Sequence, residues 1–335
     1  MEDINTPATP NENVNFESRI NLAPLLESIT IIKQELGSVI VGQSKMIDQL
    51  LVAILSNGHV LLEGVPGVAK TITAKLLAKT LNIGFSRIQF TPDLMPSDIL
   101  GTSIFDLKKS EFEFKKGPVF SNLILIDEIN RAPAKTQAAL FEVMEERQIT
   151  IDGSAYILET PFLVIATQNP IEQEGTYRLP EAQLDRFLFK IAIDYPKLDE
   201  EITIIQREHV LQSQGKLENI KTVLSAIEIK NYQALVKQIL VEQNLLEYIA
   251  KIVVNTRENA FLYLGASPRA SIAILNAAKG FAAIRGRDFV TPEDIKDAAI
   301  PVLQHRVIVT PEREMEGITS TEIIKQILET VEIPR

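Results

Sequence analysis

Five short apolar runs, at 59–63, 85–90, 122–127, 162–167 and 187–193, alternate with stretches whose apolar residues recur at helical spacing. Runs this short, joined by helices, read as strands covered on both faces, so the chain is expected to form a parallel sheet between helical layers. In that architecture ligands sit beyond the carboxyl ends of the strands. The polar residues singled out below are all expected at such ends.

The first run leads into Gly64-Val65-Pro66-Gly67-Val68-Ala69-Lys70-Thr71, and a helical pattern opens there. Strand, glycine-bearing turn and helix N-terminus, in that order, bring backbone N–H groups and a helix dipole onto the phosphates of a nucleoside triphosphate. Lys70 then reaches the β- and γ-phosphates, and Thr71 puts its hydroxyl on Mg²⁺. The pattern G-x-x-x-x-G-K-[ST] has glycine where this chain has Ala69, so a methyl group must fit close to the phosphate path. A turn ending a buried strand is the plain alternative. Ahead of the first strand, Val41-Gly42 marks a bend that is either a buried linker or part of an adenine pocket.

The third run, Leu123-Ile124-Leu125-Ile126, ends in Asp127-Glu128. Two carboxylates at a strand end are costly to desolvate and repel each other unless a cation or bound water lies between them. Asp127 is the candidate for the Mg²⁺ shell and Glu128 for polarising the attacking water. An exposed acidic turn is the plain alternative.

Thr167-Gln168-Asn169 closes the next run. The Asn169 amide can hold water against a γ-phosphate without cancelling the Lys70 charge; otherwise it is a turn residue before Pro170. Arg186, in Leu184-Asp185-Arg186-Phe187, is the candidate for the arginine that meets developing charge in phosphoryl transfer, with Arg131 and Arg178 as alternatives. Next to Asp185, its plain alternative is a surface ion pair of little energy. Arg269, in Gly265-Ala266-Ser267-Pro268-Arg269, opposes the dipole of the helix it begins and so invites an anionic partner such as the γ-phosphate.

The organisation around these residues has three parts. Residues 1–18 are rich in Asn, Pro, Thr and acid and lack an apolar signal core, which predicts a disordered leader. Residues 19–195, with helical patterns at 19–36 and 44–55 before the first strand, are expected to form the three-layer αβα nucleotide-binding domain. Two hairpins decorate it, at 101–117 and at 148–158, the second turning on Asp152-Gly153-Ser154. Beyond Tyr195-Pro196, helices are expected at 198–214, 232–240, 245–255, 269–284 and 292–303, forming a smaller all-helical domain over 196–335. Thr291-Pro292-Glu293-Asp294 is a helix start with Thr as N-cap and Pro at its first position.

With 335 residues the chain is long enough for two domains. Its formal charge of −10, from 34 basic and 44 acidic side chains, argues against broad affinity for nucleic acid. The absence of cysteine excludes disulfides and thiolate metal sites and fits a reducing compartment. The longest apolar stretch, around 49–62, is broken by Ser56, Asn57, Gly58 and His59 and cannot span a bilayer. A cytoplasmic protein with no direct membrane insertion is expected.

These residues, in this order, resemble an AAA+ ATPase of the P-loop NTPase class. Asp127-Glu128-Ile129-Asn130-Arg131-Ala132-Pro133-Ala134-Lys135-Thr136-Gln137 narrows the resemblance to the MoxR family, supported by Arg87-Ile88-Gln89-Phe90-Thr91-Pro92-Asp93-Leu94 and Leu179-Pro180-Glu181-Ala182-Gln183-Leu184-Asp185-Arg186-Phe187. The likeness covers about 36–309. It implies that Lys70 and Thr71 belong to Walker A, Asp127 and Glu128 to Walker B, that Asn169 is sensor 1, Arg186 the arginine finger and Arg269 sensor 2. It further implies ATP and Mg²⁺ as cofactors, a five-stranded sheet followed by a helical lid, and hairpins matching the helix-2 and pre-sensor-1 inserts. A hexameric homo-oligomer is implied as well, together with a protein client and a partner carrying a von Willebrand factor A domain.

Three functions compete. A ring ATPase that remodels protein clients needs sites completed between subunits. A nucleic-acid motor needs basic hairpin tips, which Lys108-Lys109 and Lys115-Lys116 supply in the first insert and Asp152-Gly153-Ser154 does not in the second. A nucleotide-gated binding module needs no catalytic machinery, and Glu128 and Arg186 argue against it.

Overall fold

The computed structural model describes residues 19–65, 67–169, 177, 179–211 and 220–334. The expected leader, Pro66, Arg178 and the last part of the helix expected at 198–214 lie outside the described residues.

Helices α1 (Ala23–Val39) and α2 (Ser44–Leu55) come first, and α1 buries Leu25, Ile29, Ile32 and Leu36, one stripe at helical spacing. The chain then alternates through β1 (Val60–Gly64), α3 (Lys70–Thr80), β2 (Phe85–Gln89) and α4 (Pro96–Leu100). A first hairpin follows, β3 (Gly101–Asp106) with β4 (Glu111–Lys116), and then β5 (Leu123–Asp127) and α5 (Ala134–Glu146). The second hairpin pairs β6 (Gln148–Ile151) with β7 (Ser154–Ile157). The sheet is completed by β8 (Leu163–Gln168), the single turn α6 (Glu181–Leu184) and β9 (Phe189–Ile193).

Five strands form one parallel sheet in the order β2-β5-β8-β1-β9. From β1 the chain crosses to the far edge at β2 and returns through β5 and β8. It then ends at β9 on the other side of β1. The order therefore reverses at β1, which opens a crevice at its carboxyl end. Register puts Gln89 beside Asp127 and Glu63 beside Gln168, so the ends of these strands lie level.

Strand alternation sorts the core. Leu123 and Leu125 enter the cluster with α1, α2 and α3, whereas Ile124 and Ile126 enter the opposite cluster with Ile99 of α4 and Phe141 of α5. All five residues of β5 are buried, as a central parallel strand requires.

After β9 the chain is mainly helical, with α7 (Leu198–Leu211), α8 (Ala226–Lys237), α9 (Gln243–Glu258), β10 (Leu262–Leu264), α10 (Pro268–Ile284) and α11 (Pro292–Leu303), then β11 (Ile308–Val309), α12 (Pro311–Met315) and α13 (Ser320–Thr330). Thr291 caps α11 in a reciprocal box with Asp294, as its sequence predicts. The short antiparallel ribbon of β10 with β11, and the helices α12 and α13, are additions to the sequence reading. Strands of two and three residues leave no periodicity to read. Ile249, Ile274, Phe281, Ile295 and Ile324 of the lid share one apolar cluster with α1 and α2, and α10 comes so close to α2 that a Cβ on Gly280 would stand 2.7 Å from Val52 Cγ1.

Candidate functional site

The turn between β1 and α3 is built on left-handed backbone. Gly67 has φ +89°, and Ala69, the N-cap of α3, has φ 59° and ψ 16°. Glycine takes that conformation freely, whereas an L-residue pays about 1–2 kcal/mol for it. The constraint on Ala69 is thus in its backbone as much as in the room for its methyl. Val68 is buried and Val65 packs against the same core, which roots the turn on both sides of Gly67.

Lys70 opens α3 and donates from Nζ to the Gly64 carbonyl at 2.8 Å, lying across the turn it would share with phosphates. Burial pushes its ammonium below the ordinary lysine range, and the Asp127 and Glu128 carboxylates pull it back up. Thr71 follows on the same helical turn, half-buried.

Asp127 ends β5 with 8 % of its surface exposed. Its Oδ2 accepts from Arg87 Nε at 2.7 Å and its Oδ1 from the Thr167 hydroxyl at 3.3 Å. Glu128 turns out of the strand at φ 59°, ψ 53°, and its N–H donates to Thr167 Oγ1 at 3.1 Å. One Glu128 oxygen, Oε2, accepts both Gln89 Nε2 and Arg131 Nε at 2.9 Å. Asn169 directly follows β8, next to the β1 and β5 ends.

Arg87, Gln89 and Thr167 were not singled out by the sequence reading. Their signal was present as alternation, because Arg87 and Gln89 share one face of β2 and Thr167 stands one residue inside the end of β8.

The donor set also tests the expected metal. The Thr71 hydroxyl and the Asp127 carboxylate are hard oxygens of the kind Mg²⁺ takes when phosphates supply further ligands. No group of three or more His, Cys, Asp or Glu gathers as a metal cage among the described residues. The residues therefore fit a metal shared with a triphosphate rather than one held by protein alone.

Likeness to known proteins places the chain in a family. Residues 59–189 match the ATPase family associated with various cellular activities, and residues 254–327 match its lid domain. A crystal structure of a candidate ATPase from Cytophaga hutchinsonii superposes with a TM-score of 0.86 at 44% identity, covering 94% of this chain and 97% of that one. Protein MoxR of Methylorubrum extorquens is 30% identical over 327 residues, 90% of this chain and 94% of its own. Chaperone MoxR1 of Mycobacterium tuberculosis is 45% identical over 310 residues, 90% of this chain and 81% of its own. The chain belongs to the MoxR family of AAA+ ATPases.

In this MoxR-family ATPase the arginines divide into two groups. Arg131 pairs with Glu128 and so stands within its own cradle. Arg186 precedes β9 and therefore lies at the amino end of a parallel strand, which corrects the expectation that all the chosen polar residues lie at carboxyl ends. The reason is that the loop into the last strand is on the opposite rim from the loops out of the others. Arg186 Nε reaches Glu145 Oε2 at 3.5 Å, and Arg269 reaches Glu145 Oε1 at 3.4 Å. Glu145 is near the far end of α5 from Asp127-Glu128. The structure thus brings Arg186 and Arg269 together, and apart from Lys70.

Val41-Gly42 lies between α1 and α2. Gly42, at φ +77°, sits so close to the Glu200 carboxyl of α7 that a Cβ would overlap it at 2.5 Å. It lines a cavity of about 520 Å³ with Lys45, Lys190 and Tyr195. No helix of the described residues is long and apolar enough to cross a membrane.

Proposed function

We propose that this MoxR-family ATPase works as a homo-oligomeric ring, hexameric by family resemblance, in which each ATP is held by one protomer and attacked with help from the next. Lys70 neutralises the β- and γ-phosphates, and the N–H groups at the start of α3 bind them. Thr71 and Asp127 would hold Mg²⁺, which would supply positive charge to offset that of the phosphates. Glu128 takes the proton of the attacking water and Asn169 orients that water. Arg186 and Arg269 act on the neighbour's triphosphate.

One observation carries this reading. The two arginines meet at Glu145, on the rim opposite their own cradle, so a second protomer is the natural owner of the phosphates they serve. Glu145 keeps them paired meanwhile, and a pair this exposed costs little to break.

The hydrolytic cycle is proposed to remodel a protein client, in line with the chaperone name of the Mycobacterium relative. We place the lid boundary at Pro196 and the client-facing surface on the two hairpins. They act as one unit: Phe114 and Tyr156 lie 4.5 Å apart between ring centroids, and Ser103 bonds Asp152 at 2.5 Å. Leu107 and Phe112 stand 85% and 74% exposed there, which suits an apolar polypeptide better than a phosphate backbone. Lys109, at the basic tip, is already paired with Asp106 and Glu113. A protein with a von Willebrand factor A domain is the proposed partner, and ATP turnover the proposed output.

Mixing tests it. Arg186→Ala subunits keep an intact cradle, and Lys70→Ala subunits keep an intact Arg186; each alone should be nearly inactive and the mixture should recover turnover. Additive, near-zero activity of the mixture would remove the shared site.

A further inference from the structure

Arg306, in the loop between α11 and β11, is an arginine with only 4% of its side chain exposed. A guanidinium has five N–H groups in a rigid plane, and burying it is tolerable only if they find partners. All are used here. Nε donates to Asp185 Oδ1 at 2.6 Å, one terminal nitrogen to the carbonyls of Leu188 and Val302 at 3.2 and 2.5 Å, and the other to those of Asp185 and Phe187 at 2.9 and 2.7 Å.

The choice of partners is informative. Three of the four carbonyls belong to Asp185, Phe187 and Leu188, which bracket Arg186 on both sides. An arginine that merely fastened the lid to the sheet could use any carbonyls along the seam. This one fixes the peptide plane just before Arg186 and the two that follow Phe187, while the Phe187 N–H, donated to the Leu184 carbonyl at 3.0 Å, holds the plane between them, so the direction in which the Arg186 side chain leaves the backbone is set. The second Asp185 oxygen accepts from Ser267 Oγ at 3.3 Å, and Ser267 directly precedes α10, whose second residue is Arg269. His305, next to Arg306, adds a contact from its Nε2 to the Phe187 carbonyl at 3.0 Å. The side chain of Arg186 itself stays 31% exposed.

We propose that Arg306 is a positioning residue, anchored on Asp185, that locks Arg186 of the sheet domain and Arg269 of the lid into one unit presented to a neighbouring triphosphate. The proposal rests on the reading that Arg186 acts across a protomer interface. Arg306 touches no phosphate. It makes the aim of Arg186 depend on the seating of the lid, so a lid displaced by events in its own protomer carries the arginine away from the neighbour's site. A displacement of 1 Å in such a group can cost about 10²-fold in rate.

The test uses mixtures of full-length subunits, read as phosphate release. The reference mixture is Arg186→Ala with Lys70→Ala. In the first trial the arginine donor becomes Lys70→Ala with Arg306→Gln, and recovered turnover should fall about 10²-fold below the reference. In the second, Arg306→Gln subunits with an intact cradle are mixed with Lys70→Ala subunits, and turnover should match the reference. A subunit that fails as arginine donor yet works as ATP holder has lost aim and not its fold. Asp185→Asn with Arg306→Gln removes both charges, leaves neither buried and unpaired, and should show the same asymmetry. Equal recovery in the first trial, or failure in the second, overturns the proposal. Failure of the reference mixture overturns the shared site itself, and the proposal with it.

Discussion

Arg87 Nε lies 2.7 Å from Asp127 Oδ2, so the carboxylate suited to Mg²⁺ is met by a guanidinium from the adjoining strand. A metal held there, as proposed, would compete with the arginine for the carboxylate. Arg87 is about half exposed, and a pair of that kind is worth at most about 1 kcal/mol. Arg87→Gln should lower the Mg²⁺ concentration for half-maximal ATP binding by about two- to fivefold at low salt, with the difference shrinking as salt rises. Fluorescent-nucleotide titrations at fixed ATP and varied Mg²⁺ measure it, and a higher Mg²⁺ requirement in the variant counts against this competition.

Ala69 holds a left-handed backbone that glycine would hold without strain. Relief of that strain is offset in part by the greater freedom of glycine in the unfolded chain. Ala69→Gly should therefore stabilise the protein by up to about 1 kcal/mol and raise its melting temperature by about 2 °C. ATP affinity should not weaken. A thermal melt lowered by several degrees contradicts the backbone assignment.

His59 gives the protein a pH dependence. Its Nδ1 accepts the Val164 N–H at 3.0 Å and its Nε2 faces the Met144 carbonyl at 3.2 Å, so the buried ring is neutral with the proton on Nε2. Burial, with Arg147 nearby, lowers its pKa from 6.5 to about 3. The folded-state value lies below the unfolded one, so the unfolded chain binds the proton first as pH falls. Stability from this group is complete above pH 6.5 and is lost progressively toward pH 3. Between pH 7 and 5 the loss should be about 2 kcal/mol. Urea melts at the two pH values measure it, and His59→Gln should flatten the difference even though it is less stable at pH 7.

Glu128 is held at one oxygen by Gln89 and Arg131. Replacing it with Gln removes the proposed proton acceptor while leaving Lys70 and Thr71 untouched. Hydrolysis should fall by about 10²–10⁴-fold with ATP binding preserved, whereas Lys70→Ala should abolish binding. Binding isotherms and single-turnover hydrolysis separate the two. Parental hydrolysis in Glu128→Gln would remove the residue from the chemistry. The same variant, stalled with ATP, should retain a client in a pull-down.

Much of this was legible in the sequence because burial and chemistry coincide in short segments. The cradle at 64–71 and the acids ending β5 each carry their meaning within a few residues, and the buried strands read as uninterrupted apolar runs. What stayed hidden depends on pairing between distant segments. Arg87 and Gln89 become site residues only because β2 lies beside β5 in register. Arg306 looks like any surface arginine until the lid folds it onto the Asp185 loop. The convergence of Arg186 and Arg269 on Glu145 joins three such segments, and no local pattern encodes it.

The proposed sharing of the site between protomers is tested most directly by turnover per subunit across a dilution series, at saturating Mg²⁺ and ATP. If Arg186 and Arg269 serve a neighbour, specific activity rises with protein concentration to a plateau, and Arg186→Ala stays flat and low throughout. Specific activity independent of concentration, in a preparation shown to be monomeric over the same range, would mean that one chain completes its own site.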